Sequence, residues 1–536
     1  MRNQKRAGVL RRLLLLASLA ACLLVAGCGG SGAGSTQDAA KVTAAPQHGG
    51  SLVVLEDAGY GGTWPTGLDP GTSTTPGGNT SLMDSIFGEL FELGPNGKIM
   101  GDLASGYKLL HGGKTVQINI RPGVKFQDGT PFNAKAVAWN ITRDLKSPCT
   151  CSPSRIWPAL SKTDPVSVAG KDVQIHFIAP DPSAITSFIN AAPNWIASPT
   201  AVKKMGAQAF KLKPVGAGPF EVVSDTISSK LALKRFSGYW QKGHPYLDKL
   251  TFQSIGSDES AYEAMQSNQA QAYEELWTPQ LMKQAGSKFT VVQQPSTQPT
   301  GVQLNTTQPP FDNKLAREAM YYATDSPSIA KNLFHGLFPV TQSFTGPGGL
   351  DYTPTVPGYR TYDPSKAETI VKQLGGLSIT LNTPNELPYE EMSEALQTMW
   401  KKVGIKTTIK TGDLGSNIQE FSSGKWQVFL QPLGSWDPTS AQGVAFRFGS
   451  HSPFSGVHDP KLDAMLNRLS STLNAAKRKQ IVGELAKYVS DQAYAPMVVA
   501  FSTASLADKN VTGPGLTTKI PAVALTPMVR WEDVGG

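Results

Sequence analysis

Cysteine is scarce, with only Cys22, Cys28, Cys149 and Cys151 in 536 residues. That excludes a scaffold held by crosslinks in place of a core, since such chains are short and cysteine-dense. Beyond the first 28 residues no apolar run approaches the length needed to span a bilayer. No short-period repeat occurs, so solenoids and propellers are excluded. No G-x-S-x-G elbow and no complete G-x-x-x-x-G-K-[ST] loop is present, which argues against a hydrolase of that type and against ATP hydrolysis by the chain itself. What is there points to a packed protein: 40% hydrophobic residues, 10 Trp and 21 Phe, with 53 Gly and 39 Pro giving many loops. The length exceeds what one core supports, so two or three domains are expected.

The N-terminus reads as a targeting segment. Arg2, Lys5, Arg6, Arg11 and Arg12 precede an apolar run from Leu13 to Val25, which ends Val25-Ala26-Gly27-Cys28. This tetrapeptide resembles a bacterial lipobox, with Cys28 as the lipidated residue. An ordinary secretory signal also ends in small residues but gives no reason for a cysteine there. Gly29 to Gly50 lacks periodicity and reads as a flexible tether. The formal charge of +8 falls by the five basic residues of the leader to +3, which leaves no nucleic-acid footprint. The expected location is the extracytoplasmic face of a bacterial membrane, anchored and not embedded.

Cys149 and Cys151 stand one residue apart in SPCTCSPS. Export permits a small, strained, loop-stiffening disulfide; two free thiols or a weak metal site are the other readings, and no further ligand lies nearby.

Periodicity then lays out strands and helices in alternation. Ser51–Leu55 reads as a strand and Ser81–Leu93 as a helix. Val116–Arg121 is a strand, Asp128-Gly129 a turn, and Asn133 the cap of a helix with Val137 and Ile141 inward. Val173–Phe177 reads as a strand and Pro182–Ile189 as a helix. Near the middle, Val302 and Leu304 begin a strand that breaks at Pro309-Pro310. A helix capped by Asp312 or Asn313 follows, with Leu315, Ala319, Tyr322 and Ala323 on one face. Later come helices Asp363–Leu374, Tyr389–Val403, Pro460–Leu469 and Ala475–Ser490, and strands Leu377–Asn382, Ile405–Lys410 and Gln427–Gln431. This alternation indicates α/β lobes.

Several segments together resemble one family. VKFQDGTPFNAKAVAWN is similar to the V-x-F-x-D-G-x-P-F-x-A-x-D-V signature of the peptide/nickel class (family 5) of extracellular solute-binding proteins that serve ABC transporters, although Ala136 replaces the usual Asp. GAGPF, SGYW, NTTQPPFDNKLAREAMYYATD, YDPSKAETIVKQLG, the Gly404-Ile405 helix end and FSGVHDPKLDAMLNRL follow in the family's order. The resemblance implies an α/β, two-lobed periplasmic-binding-protein-like fold with an extra subdomain inserted in lobe I. The boundaries it implies are a signal peptide at 1–27, a tether at 28–48, lobe I at 49–80 and 211–300, the subdomain at 81–210, lobe II at 301–505 and a return to lobe I at 506–536. It further implies a non-enzymatic, monomeric receptor without a cofactor, which captures an oligopeptide or peptide-like solute by hinge closure and hands it to permease subunits.

Ligand contacts are expected where strands end at the cleft. Trp436 and Asp437 follow the strand at Gln427–Gln431, although Asp437 also suits a turn cap before Pro438. Peptide-binding members hold the ligand amine with an Asp that falls here on Gly434. Trp277, Trp64 and Tyr60 lie in lobe I loops near the cleft, with packing as the plainer role for Trp277. Arg447 offers a planar fork for a carboxylate or else a surface salt bridge. Rival readings are a nickel-chelate receptor using His451 or His458, a sensing lipoprotein, and a serine acyl-enzyme built from Ser328-x-x-Lys331 with Lys410-Thr411-Gly412.

Overall fold

In a computed structural model, residues 46–58, 63–74, 76–149, 151–434, 439, 441–518 and 529–535 are described. In chain order the strands are β1 (Ser51–Asp57), β2 (Phe91–Leu93), β3 (Ile99–Gly101), β4 (Ala104–Leu110), β5 (Thr115–Ile120), β6 (Val166–Ala169), β7 (Asp172–His176), β8 (Phe220–Thr226), β9 (Lys230–Arg235), β10 (Lys249–Ile255), β11 (Ala272–Leu276), β12 (Thr290–Gln293), β13 (Pro299–Leu304), β14 (Leu377–Pro384), β15 (Ile405–Gly412), β16 (Val428–Pro432), β17 (Met497–Ala500) and β18 (Ala504–Ala507).

Two mixed sheets carry the architecture. The first has the order β12-β18-β11-β1-β10-β9-β8, and the second β15-β14-β16-β13-β17. In the first, β1 runs parallel to β10 and β11; in the second, β14 runs parallel to β15 and β16. Central parallel strands are covered on both faces, so they read as nearly continuous apolar runs. In β1, Leu52 and Val54 enter one core and Leu55 the other. A separate antiparallel sheet, β4-β5-β7-β6, packs its own core around Val116, Ile118, Val137, Ile141 and Trp157. The fold is the expected α/β, two-lobed one with an additional subdomain.

The chain passes from the first sheet to the second at residues 294–298 and returns at 501–503. One apolar cluster bridges the two, running from Leu276, Trp277 and Leu506 to Val302, Val499 and Phe501. The disulfide between Cys149 and Cys151 is formed.

Several local expectations shift. The helix expected at Ser81–Leu93 is Thr80–Phe87, stopped by Gly88 at φ +64°, and Phe91–Leu93 becomes β2. Leu82, Met83, Ile86 and Phe87 of that helix join the first sheet's core, together with Trp195, Ala197, Ala201 and Phe210, so both ends of the 81–210 segment pack as lobe I. After the second crossover, Ala504 pairs with Gln293 and brings the chain back to the first sheet. Pro182–Ile189 holds only a short turn of helix at Thr186–Phe188, where Asp181 accepts from the Ser183 amide and hydroxyl and competes with helical bonding. Asn133 accepts from the Ala136 amide, and Asn313, not Asp312, accepts from the Leu315 amide. Among the described residues no helix is long and apolar enough to cross a membrane.

Candidate functional site

The C-terminal ends of the parallel strands in both sheets are the places where an α/β lobe presents loops to a ligand. In the first sheet Leu55 pairs with Tyr273, which sets Glu56 and Glu274 side by side on neighbouring strands. Glu274 Oε1 accepts from the Ser81 hydroxyl at 2.5 Å and from the Trp531 indole NH. Burial pushes the Glu274 carboxyl up to about 8, against the pull of the Ser81 bond. Burial also drives Glu56 well above the usual carboxylate range, with the charges of Glu274, Glu275 and Asp57 adding to it. The pair therefore holds a proton at neutral pH, as two crowded carboxyls must.

The exit of β11 is fixed by Asp258, in the first turn of the helix Asp258–Gln266. Its carboxylate accepts from Tyr273 Oη at 2.7 Å, the Trp277 amide at 3.0 Å, the Thr278 amide at 2.7 Å and the Thr278 hydroxyl at 2.5 Å. Trp277, 9% exposed, is thus held at the apolar junction between the sheets.

Lobe II contributes a polar chain behind β16. Gln431 donates to Gln303 Oε1, and Gln303 donates in turn to the carbonyls of Arg447, Phe454 and Ser455. The half-buried Arg447 guanidinium donates to Gln431 Oε1 at 2.7 Å and lies 5.0 Å from the Phe446 ring centroid and 5.8 Å from that of Phe421. Its fork is oriented by the lobe II sheet, a constellation of residues up to 152 positions apart that spacing alone does not reveal.

Beyond β16 the chain comes down on the crossover. A Cβ on Gly434 would stand 2.6 Å from Pro299 Cδ, 2.7 Å from the Phe344 carbonyl oxygen and 3.2 Å from Gln298 Cα. A side chain at this position would require these neighbours to shift.

The other expected site residues divide. Trp64 is a correction: it is 0% exposed in the core of lobe I, and its Nε1 donates to Asp225 Oδ1 at 2.9 Å, which leaves no face for a ligand. Tyr60, Trp436 and Asp437 lie outside the described residues. Ser328 Oγ accepts from Asn332 Nδ2 at 2.9 Å, and Ile329–Leu333 forms a widened five-residue turn. Lys410 pairs with Glu420 at 2.8 Å. His451 and His458 are exposed, and among the described residues no group of three His, Cys, Asp or Glu gathers around a metal position.

Residues 98–454 match the model of bacterial extracellular solute-binding proteins, family 5 middle. The chain belongs to that family. Family 5 consists of solute-binding receptors, not enzymes. The chain is 30% identical over 346 residues to the glutathione-binding protein GsiB of Shigella flexneri, a match covering 63% of this chain and 66%, just under two thirds, of that protein. In fold it is similar to the periplasmic binding protein DppA of Helicobacter pylori in complex with the peptide STSA, with a TM-score of 0.74, 18% identity, and coverage of 91% of this chain and 98% of that one. It is equally similar to MoaA of A. tumefaciens R10 in complex with mannopinic acid, at TM-score 0.75 and 19% identity, covering 91% and 99%.

Proposed function

We propose that this family 5 protein is the lipid-anchored substrate-binding component of an ABC importer, and that it takes an oligopeptide or peptide-like solute between its two sheets. The observation that carries the reading is the pair of crossovers at 294–298 and 501–503, which lets two rigid sheets close on a ligand while little else in the chain bends. The ligand class is supported by the glutathione-binding relative and by the peptide held in the similar fold. With Gly434 where the resemblance puts the amine-binding aspartate, the ligand is held without an amine clamp at that position in this reading. Asp437 takes over that role, or the solute has no free amine; Trp436, Trp277, Tyr60 and Arg447 are the further contacts proposed.

Native mass spectrometry of the purified chain is expected to show a small molecule that leaves on unfolding. In a thermal-shift screen, peptides with free and with acetylated N-termini are compared with sugars and with nickel–histidine. A ligand at 100 times its Kd adds about 2.7 kcal/mol of stability. A shift with nickel–histidine alone would replace the peptide reading.

Anchoring has its own test. Cys28→Ser is expected to abolish incorporation of labelled fatty acid and to move the chain from the membrane fraction to the soluble one. Unchanged labelling would remove Cys28 as the lipid site.

A further inference from the structure

The turn between β4 and β5, in the inserted subdomain, runs through three residues of positive φ: His111 at +52°, Gly112 at +66° and Gly113 at +89°. A Cβ on Gly113 would lie 2.8 Å from Leu473 Cδ1 and 3.4 Å from Pro180 Cβ. The tip of Leu473 therefore rests where a side chain would otherwise be, beside Pro180. Leu473 belongs to lobe II, in the turn between the helices Pro460–Ser470 and Ala475–Asp491. This contact joins the subdomain to lobe II at a point outside both crossovers.

Both partners are built to hold position. The Leu473 carbonyl accepts from Arg478 Nη1 at 2.9 Å, and the buried Arg478 guanidinium lies 3.5 Å from Asp351. Asn474 caps the following helix by accepting from the Lys477 amide. Across the gap, the Phe177 amide donates to the Lys114 carbonyl at 2.8 Å and keeps the chain leading to Pro180 beside the glycine turn. Leu473 nevertheless remains 38% exposed, so the contact is one-sided and separable. A braced, partly exposed leucine on one lobe and a glycine socket on the other have the form of a reversible catch.

We infer that Leu473 and the Gly112-Gly113 turn form a clasp that holds the lobes closed, so that the inserted subdomain takes part in the open–closed equilibrium. Losing one leucine contact shifts the ratio of such states by about five-fold. The clasp rests on the hinge-closure reading above. It is read without ligand, so its failure and the failure of the ligand class are separate results.

The experiment is hydrogen exchange with mass spectrometry on the full chain, comparing wild type with Leu473→Asp and Leu473→Met. Leu473→Asp is expected to speed exchange several-fold at 110–116 and also at the crossover 294–298 and the β11 exit 274–277. Leu473→Met, which keeps an apolar tip, should match wild type. Gly113→Ala attacks the same contact from the socket side and should reproduce the acceleration at 294–298. Faster exchange confined to 110–116, or none anywhere, overturns the clasp.

Discussion

Gly434→Ala is expected to lower the urea unfolding midpoint sharply, because the added methyl meets atoms that cannot swing away. Two of the three nearest are the Phe344 carbonyl oxygen and Gln298 Cα, and the third is the ring of Pro299. Overpacking of this kind costs about 1–3 kcal/mol, with backbone neighbours favouring the upper end. Gly434→Asp is expected to be worse, since a larger, charged side chain starts from the same crowded Cβ position. It should also fail to confer a preference for ligands with a free amine. The check is the midpoint of each variant, with thermal shifts for paired free and acetylated peptides. A Gly434→Asp protein as stable as wild type and newly amine-selective would contradict the geometry.

The second large effect is a loss of stability with rising pH. Burial pushes Glu274 from 4.5 up to about 8, Asp144 from 3.8 up to about 8 despite Arg143 beside it, and Asp102 from 3.8 up to about 6 despite Arg530. A carboxyl with a raised folded-state pKa binds its proton more tightly folded than unfolded. Its stabilisation is complete below the ordinary value and is lost as pH climbs through the folded value. The window therefore opens near 4 and closes near 8, with a slope of up to ~1.4 kcal/mol per pH unit for each group. The melting temperature should be lower at about pH 8.5 than at about pH 5.5, with Glu274→Gln flattening part of the slope. A melting temperature that rises over this interval would mean that these carboxyls are ionised in the fold.

Local chemistry made much of the fold readable. The Asn133 cap, the Asp128-Gly129 turn and the Tyr389–Lys402 helix depend on neighbours within a few residues, and their signals sit in the sequence beside them. The misreadings arise where tertiary contacts decide. In the helix Lys314–Ala323, Leu315 and Tyr322 are only half-buried, while Ala316, Met320 and Tyr321 face inward. Tyr321 is drawn in because its hydroxyl donates to the Ala495 carbonyl at 2.6 Å, 174 residues away. The site was less readable for the same reason. Glu274 meets Ser81 from 193 positions away and Trp531 from 257, and neither partner carries a local motif. Trp64 misled because an indole beside glycines suits a cleft rim and a core equally well; only its Asp225 bond and complete burial separate the two.

The strand order of the first sheet also governs how the molecule is made. β18, residues 504–507, lies between β12 and β11, and Trp531 reaches Glu274 from the chain's last few residues. A chain that has emerged only as far as residue 503 has all five strands of the second sheet but a gap in the first. Its β11 is paired on one side only, with β1, and β12 has no partner until β18 arrives. The first sheet therefore closes only after residues 504–507 have been made, late in synthesis. A chain clipped before residue 504 keeps an unpaired edge on β11 and leaves β12 without a partner, open strand edges of the kind that pair with other chains.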